Sequence, residues 1–323
     1  MTAAARPVKQ RPSFPLQISA TRVAKTNLTS AVLWMGGALL SFSLMAVSVR
    51  GMAAQGFSIF EILGTRSAAA LFILGSATLL WPELRAETRA RNMKLHLVRN
   101  TIHYGSQYAW ALSLTLLPLA MVFSLEFTMP AWTAVLAIWL LNEKMTPSRI
   151  GVVLLGIVGV LVILRPGIAD INPAVLLVLA AAFGFAIVMI TTKQLTTTES
   201  TFAIIFWMSV IQLPISLIGS ALAGGPGAFL NLNTAAILPL LGLGIAGTSS
   251  HYCLTNAFRA GDATVVVPLD FMRIPLIAVV GWALYGESLD IFVPLGALII
   301  IMGVLWNLRS EARSKPLPPI VAE

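Results

Sequence analysis

The chain has 323 residues, of which 57% are hydrophobic and only 11% charged, with a mean hydropathy of +0.86. A soluble domain carries about a quarter charged residues, so water is not the solvent for most of this surface. The net charge of +8 and a pI near 10.2 would suit nucleic acid, but the basic residues are scattered over chain ends and short loops, which excludes a nucleic-acid-binding face.

Residues 1–27 form a basic tail with Arg6, Lys9, Arg11, Arg22 and Lys25 and without the compact apolar segment of a signal peptide. Ten apolar stretches of about 20 residues follow, each suited to a hydrocarbon core about 30 Å thick. The first is 28–50. The second, 58–80, carries Arg66 about eight residues below its outer end, able to hold an anionic substrate or to pair with an acid elsewhere, and Glu61 as an interfacial charge. The third, 96–116, offers His103, Gln107 and Trp110 at helical spacing, with Tyr104 and Tyr108 on an adjacent face. The fourth, 118–140, contains Glu126, and the fifth, 147–164, has Gly151, Gly156 and Gly159 for close helix contact. The sixth and seventh are 174–194 and 201–222. The eighth, 234–258, pairs His251 with Thr255 and Tyr252 with Asn256 at i,i+4. The ninth, 263–285, holds Asp270 and Arg273 on nearly one face between Pro268 and Pro275, prolines able to break the helix and free carbonyls toward a cavity. The tenth is 289–308, with Gly296 and Gly303, and residues 309–323 form a second tail. The expected fold is therefore all-α, a polytopic membrane protein of ten transmembrane helices.

With the N-terminus in the cytoplasm, sixteen Lys and Arg residues fall on that side and only Arg50 and Arg165 on the other. This is a positive-inside signal that puts both termini in the cytoplasm.

The segment Ala120 to Arg165 recurs 144 positions later as Thr264 to Arg309. Leu125-Glu126-Phe127 aligns with Leu269-Asp270-Phe271, Glu143 with Glu287, and Tyr108 with Tyr252; nearer the start, Ala38, Phe42 and Arg50 align with Ala181, Phe185 and Lys193. The chain thus divides into five-helix repeats at 28–165 and 166–308. Five is odd, so the second repeat enters the membrane from the opposite side, and a two-fold axis in the membrane plane relates the two. Glu126 lies about 12 Å below the outer end of its span and Asp270 a similar distance above the inner end of its own, which brings both near the midplane.

Ionisable groups at that depth cost several kcal/mol unless paired or hydrated, so each is a functional candidate. As carboxylates, Glu126 and Asp270 can bind a cationic group or exchange a proton during transport; the competing reading is a protonated acid that only packs. Arg273 is read either as an internal partner of Asp270 or as a contact for a substrate carboxylate or phosphate. His103, Gln107, Tyr108, His251, Tyr252 and Asn256 mix hydrogen-bonding and aromatic groups, which suits a polar organic molecule better than a bare ion. The single cysteine, Cys253, excludes an intrachain disulfide, and the sequence has no cofactor motif, metal-ligand cluster or catalytic pattern such as His-Glu-x-x-His. The leading reading is a secondary carrier for a small-molecule substrate, with proton coupling open. The runners-up are a membrane-embedded enzyme and a channel.

The five-plus-five duplication, the span-four ending Leu140-Leu141-Asn142-Glu143-Lys144 and its counterpart Leu284-Tyr285-Gly286-Glu287 resemble the drug/metabolite transporter superfamily, in its ten-span EamA-type branch. Arg66 also looks like the arginine common in the second span of that branch. The resemblance covers about residues 28 to 308 and implies a bacterial inner-membrane carrier working by alternating access. Members of the branch move amino acids, S-adenosylmethionine, riboflavin or drugs, in either direction. Asp270-Phe271-Met272-Arg273-Ile274-Pro275 is similar to the subgroup for S-adenosylmethionine uptake. The family pattern demands no acid in span four.

Overall fold

The computed structural model describes residues 28–141, 145–167, 172–225, 227, 233–260, 266, 269–288 and 290–314. The basic tail 1–27, Glu143, Lys144, Pro268, the tail residues 315–323 and the side chain of Arg259 lie outside the described residues. The described helices are α1 (Leu28–Ala54), α2 (Ile59–Leu80), the short α3 (Glu83–Glu87), α4 (Met93–Leu116), α5 (Leu119–Glu126), α6 (Met129–Leu141), α7 (Pro147–Leu164), α8 (Val175–Leu195), α9 (Thr201–Leu222), α10 (Thr234–Ala260), α11 (Arg273–Tyr285) and α12 (Phe292–Ser314). The protein is all-α, and its helices form two five-span repeats. Among the described residues, eight stretches are long and apolar enough to cross a membrane, α5 and α6 counting together as one, and α11 is a shorter apolar helix.

Local chemistry sets the helix ends. Ser58 and Glu61 form a capping box at the start of α2, so Glu61 is a buried cap rather than an interfacial charge. Thr146 with Pro147 opens α7, and Ser200 caps α9. Arg165 ends α7 at φ 45° and Gly286 ends α11 at φ 62°, both left-handed, a geometry glycine adopts without strain.

Spans four and nine differ from the expected continuous helices. α5 ends on Glu126, Phe127 and Thr128 form a turn, and α6 starts at Met129; 144 positions on, helix ends on Asp270, Phe271 and Met272 form a turn, and α11 starts at Arg273. Across both breaks the backbone bonds tighten from i−4 to i−3: Thr128 N–H to the Leu125 carbonyl at 3.1 Å, and Ile274 N–H to the Phe271 carbonyl at 3.1 Å. Pro130 brings no N–H for the Glu126 carbonyl, and Pro275 brings none for that of Phe271. Each repeat thereby places its acid just ahead of a half-helix N-terminus, where the backbone dipole favours a negative charge.

The packing pairs are α1 with α10, α4 with α8, α2 with α9 and α7 with α12. Exchanging the repeats converts the first pair into the second and returns each of the others to itself, as an inverted duplication requires. α7 and α12 meet backbone to backbone: a Cβ on Gly159 would stand 2.6 Å from the Gly296 carbonyl oxygen, and one on Gly296 would stand 2.5 Å from that of Gly159. Only glycine permits this contact, the usual way helices associate where lipid removes the hydrophobic drive between them. Outward-facing Leu33, Phe72, Leu79, Leu222 and Leu238 are exposed, as suits hydrocarbon.

Candidate functional site

The guanidinium of Arg273, its side chain only 6% exposed, pairs with Asp270 and lies 3.6 Å from Glu126. Glu126 also accepts a hydrogen bond from the Trp110 indole N–H at 2.8 Å. Phe42 stacks 3.9 Å from the guanidinium carbon, with Phe127 at 5.7 Å and Phe123 at 5.9 Å. One cation therefore joins the acids of both repeats inside an aromatic box. Phe127 and Phe271, equivalent residues, meet edge to face at 4.9 Å, so the axis relating the repeats passes beside this cluster.

A second polar chain centres on Arg66. Its Nη2 donates to Gln107 at 2.5 Å and to Gln212 at 3.2 Å, so its partners are two amides rather than either acid. Gln212 Nε2 bonds His103 Nδ1 at 2.9 Å, and Ser216 donates to the Tyr104 hydroxyl at 3.0 Å. Arg99 is buried nearby, donating to Thr192 at 2.9 Å and Asn100 at 2.5 Å. Gly247 makes room for the arginine stem, since a Cβ there would stand 2.6 Å from Arg66 Cγ.

A cavity of about 410 Å³ opens between α2, α9 and α10. Of the residues singled out from sequence, Arg66, His251, Tyr252 and Asn256 line it, while Gln107 and His103 stand behind it through Arg66 and Gln212. Glu126, Asp270 and Arg273 form the neighbouring cluster; Phe42 links the two, edge-on to His251 at 6.2 Å and stacked on Arg273. Tyr108 goes elsewhere, packing against Phe60 at 4.8 Å. Tyr252 is 63% exposed and leans on Trp34 at 5.7 Å, and the Asn256 amide donates to the Tyr252 carbonyl at 2.9 Å. Gln212, Arg99, Asn100 and Phe42 were not foreseen as site residues. For Gln212 and Arg99 the signal was present, a strong polar group inside an apolar span.

The two ends of the molecule differ. At one end Arg50 bonds Glu287 at 2.5 Å and donates to the Leu114 and Leu117 carbonyls at 2.5 Å each, while Glu287 accepts the Leu119 N–H at 2.9 Å. At this Arg50 end α2 and α9 touch, Gly64 against Ser216 and the Phe60 ring over Gly219. Toward the other end the cavity separates them, with Leu74 on one wall and Phe202 on the opposite one. There Glu199 bonds His96 at 2.5 Å and accepts the backbone N–H groups of Arg91 and Asn92 at 2.9 Å each. Burial opposes ionisation of Glu199, but the bonds from His96, Asn92 and Arg91 outweigh it and hold the carboxyl below its ordinary value of 4.5.

A crystal structure of a protein superposes with a TM-score of 0.60 over 89% of this chain and 99% of that one, at 17% identity, which speaks for the fold. A riboflavin transporter of Rhizobium johnstonii is 30% identical over 302 residues, covering 92% of this chain and 96% of the relative. An S-adenosylmethionine uptake transporter of Rickettsia prowazekii is 28% identical over 221 residues, 68% of this chain and 73% of the relative. The EamA-like transporter family matches twice, at residues 29–165 and 172–309. Two matched repeats spanning most of the sequence, on an all-helical fold with membrane-length spans, show that the chain belongs to the EamA-like transporter family and is a multi-pass membrane transporter.

Proposed function

We propose that this transporter is a secondary carrier that moves a planar, acceptor-rich metabolite of the riboflavin class by alternating access. The observation that carries the reading is the one-ended cavity: it reaches Arg66 and Gln212 between the repeats, while toward the Arg50–Glu287 end α2 and α9 touch through Gly64 and Ser216 and through Phe60 and Gly219. About 410 Å³ falls within the roughly 300–1,000 Å³ typical of organic-ligand pockets and is far too large for a bare ion. Among the described residues lining it, Arg66 is the one charged group, and no carboxylate faces it. Arg66, which engages Gln107 and Gln212 through Nη2 alone, keeps guanidinium donors that suit carbonyl and ring-nitrogen acceptors, and Phe202 and Tyr252 offer faces for a flat ring. The riboflavin transporter also matches over nearly its full length.

S-adenosylmethionine is the second reading. Two carboxylates inside an aromatic box suit a sulfonium or ammonium group, provided Arg273 gives way. The expected setting is a bacterial inner membrane with both termini cytoplasmic, which places the cavity mouth on the cytoplasmic side.

Purified protein in liposomes should show saturable riboflavin counterflow and none with S-adenosylmethionine. The reverse preference would replace the first reading with the second. Flux without saturation or counterflow would overturn the carrier itself. Proton coupling through Glu126 predicts that an internal pH dye tracks substrate flux; a silent dye would make the protein a uniporter or exchanger.

A further inference from the structure

The seam between α2 and α9 is closed at one end and open at the other, and the repeat relates its two ends residue by residue. Both helices have 22 residues, and each starts on a serine cap: Ser58 accepts from Glu61 N–H and Ser200 from Ala203 N–H. Registering the caps aligns Phe60 with Phe202, Ile62 with Ile204, Ser67 with Ser209, Leu71 with Leu213 and Leu80 with Leu222. The same register puts Gly219 opposite Ala77 and Ser216 opposite Leu74.

At the closed end the Phe60 ring fills the notch that Gly219 leaves by having no side chain; a Cβ there would stand 2.2 Å from the ring. Exchanging the repeats turns this contact into Phe202 over Ala77. Both residues are available for it: Phe202 is half-buried in the cavity wall, its ring parallel to that of Phe206 at 6.4 Å, and Ala77 is half-buried on α2. The second closed contact, Gly64 against Ser216, becomes Phe206 against Leu74, and Leu74 also walls the cavity.

We infer that Phe60 and Phe202 are the paired gates of the transport path. Phe60 on Gly219 seals the Arg50 end in this structure, and Phe202 on Ala77 seals the Glu199 end when the cavity faces the other way. The inference rests on the alternating-access reading above. The two seals are unequal, because alanine leaves a shallower notch than glycine. The ring on Gly219 packs closer, and the conformer seen here is the better sealed of the two.

Disulfide trapping tests the pair in a Cys253→Ser background. Phe60→Cys with Gly219→Cys should oxidise readily, and Phe202→Cys with Ala77→Cys should oxidise more slowly but to completion as the minor conformer is drained. A control, Phe202→Cys with Leu79→Cys, places the second thiol on the outward face of α2 and should stay reduced. If the Phe202/Ala77 pair stays reduced while the Phe60/Gly219 pair oxidises, or if the control oxidises as fast, the second gate is wrong. Each trapped pair should stop riboflavin and S-adenosylmethionine counterflow and regain it on reduction. Undiminished flux through the trapped Phe60/Gly219 pair would instead refute alternating access, whatever the other pair does. As a second variant, Ala77→Phe fills the open notch. It should leave Phe60/Gly219 oxidation unchanged and lower counterflow at least tenfold; normal counterflow would overturn the gate.

Discussion

Arg50 and Glu287 lie 237 positions apart and meet at 2.5 Å, at the end of the molecule where α2 and α9 also touch. The pair spans the repeats, and its spare valences are filled by backbone groups at the α4–α5 corner. Removing one partner of a buried ion pair costs about 3–5 kcal/mol. With the two side chains 13% and 15% exposed, screening lowers this to about 2 kcal/mol for Glu287→Gln. The expected result is a melting temperature a few degrees lower and slower trapping of the Phe60/Gly219 pair. An unchanged trapping rate would show that the ion pair does not hold that end shut.

Arg66 should govern substrate affinity. Arg66→Ala removes the charged group of the cavity and is expected to weaken riboflavin binding at least 100-fold, about 3 kcal/mol for a charge-assisted bond. Arg66→Lys keeps the charge but not the planar guanidinium, whose Nη2 engages both Gln107 and Gln212 and whose other donors face the substrate, so it should fall between. Gly247→Ala should mimic a partial loss by displacing the arginine stem. Fluorescence titration of flavin binding checks the order of the three variants.

The two midplane acids are expected to respond unequally. Asp270→Asn removes the direct partner of a buried guanidinium and leaves Glu126 at 3.6 Å as the remaining acid. Glu126→Gln keeps a carbonyl acceptor for Trp110 and leaves the Asp270 pair intact. Asp270→Asn should therefore lower the melting temperature more, and both should abolish counterflow. Trp110→Phe keeps the ring against Phe123 and removes only the donor, a loss of about 1–2 kcal/mol. Equal destabilisation by the two acid substitutions would contradict this partition.

Acid should loosen the Glu199 end. The lowered folded value of Glu199 means that its bonds to His96, Arg91 and Asn92 contribute fully above the ordinary carboxyl value of 4.5 and fade as pH falls through the folded value. Thermal unfolding in detergent should show this loss in the wild type below about pH 4.5. Glu199→Gln, which turns charge-assisted hydrogen bonds into neutral ones, should be less stable by about 1 kcal/mol at pH 7 and lose that acid sensitivity.

The spans, their number and the repeat were legible because apolar runs of membrane length and aligned acids are one-dimensional patterns. The breaks after Glu126 and Asp270 were less so. Pro275 hinted at one, but the matching turn at Phe127 and Thr128 depends on Pro130 sitting four residues beyond the Glu126 carbonyl, inside a stretch that is long and apolar enough to read as one continuous span. Arg66 illustrates a deeper limit. Its depth could be estimated, but α2 is apolar around its whole circumference, so no amphipathic stripe reveals its rotation. The choice between Gln212 and the two acids as partners is made by that rotation. Likewise Tyr108 and Tyr252 share a repeat position yet differ in burial, since their neighbours Phe60 and Trp34 come from different helices.

The contact between Phe127 and Phe271 has a thermodynamic consequence. Because the partners are equivalents, swapping the conformations of the repeats returns this contact to itself, and the rings need no repacking as the carrier turns over. A chain symmetric throughout would hold its two conformers at equal free energy. The resting bias of this protein must then come from residues without a twin, among them Gly219, which faces Ala77 in register, Trp110, which faces Leu254, Arg273, which faces Met129, and Arg66, which faces Met208. Such mismatches, rather than the shared core, are where a change of direction or substrate is written into this fold.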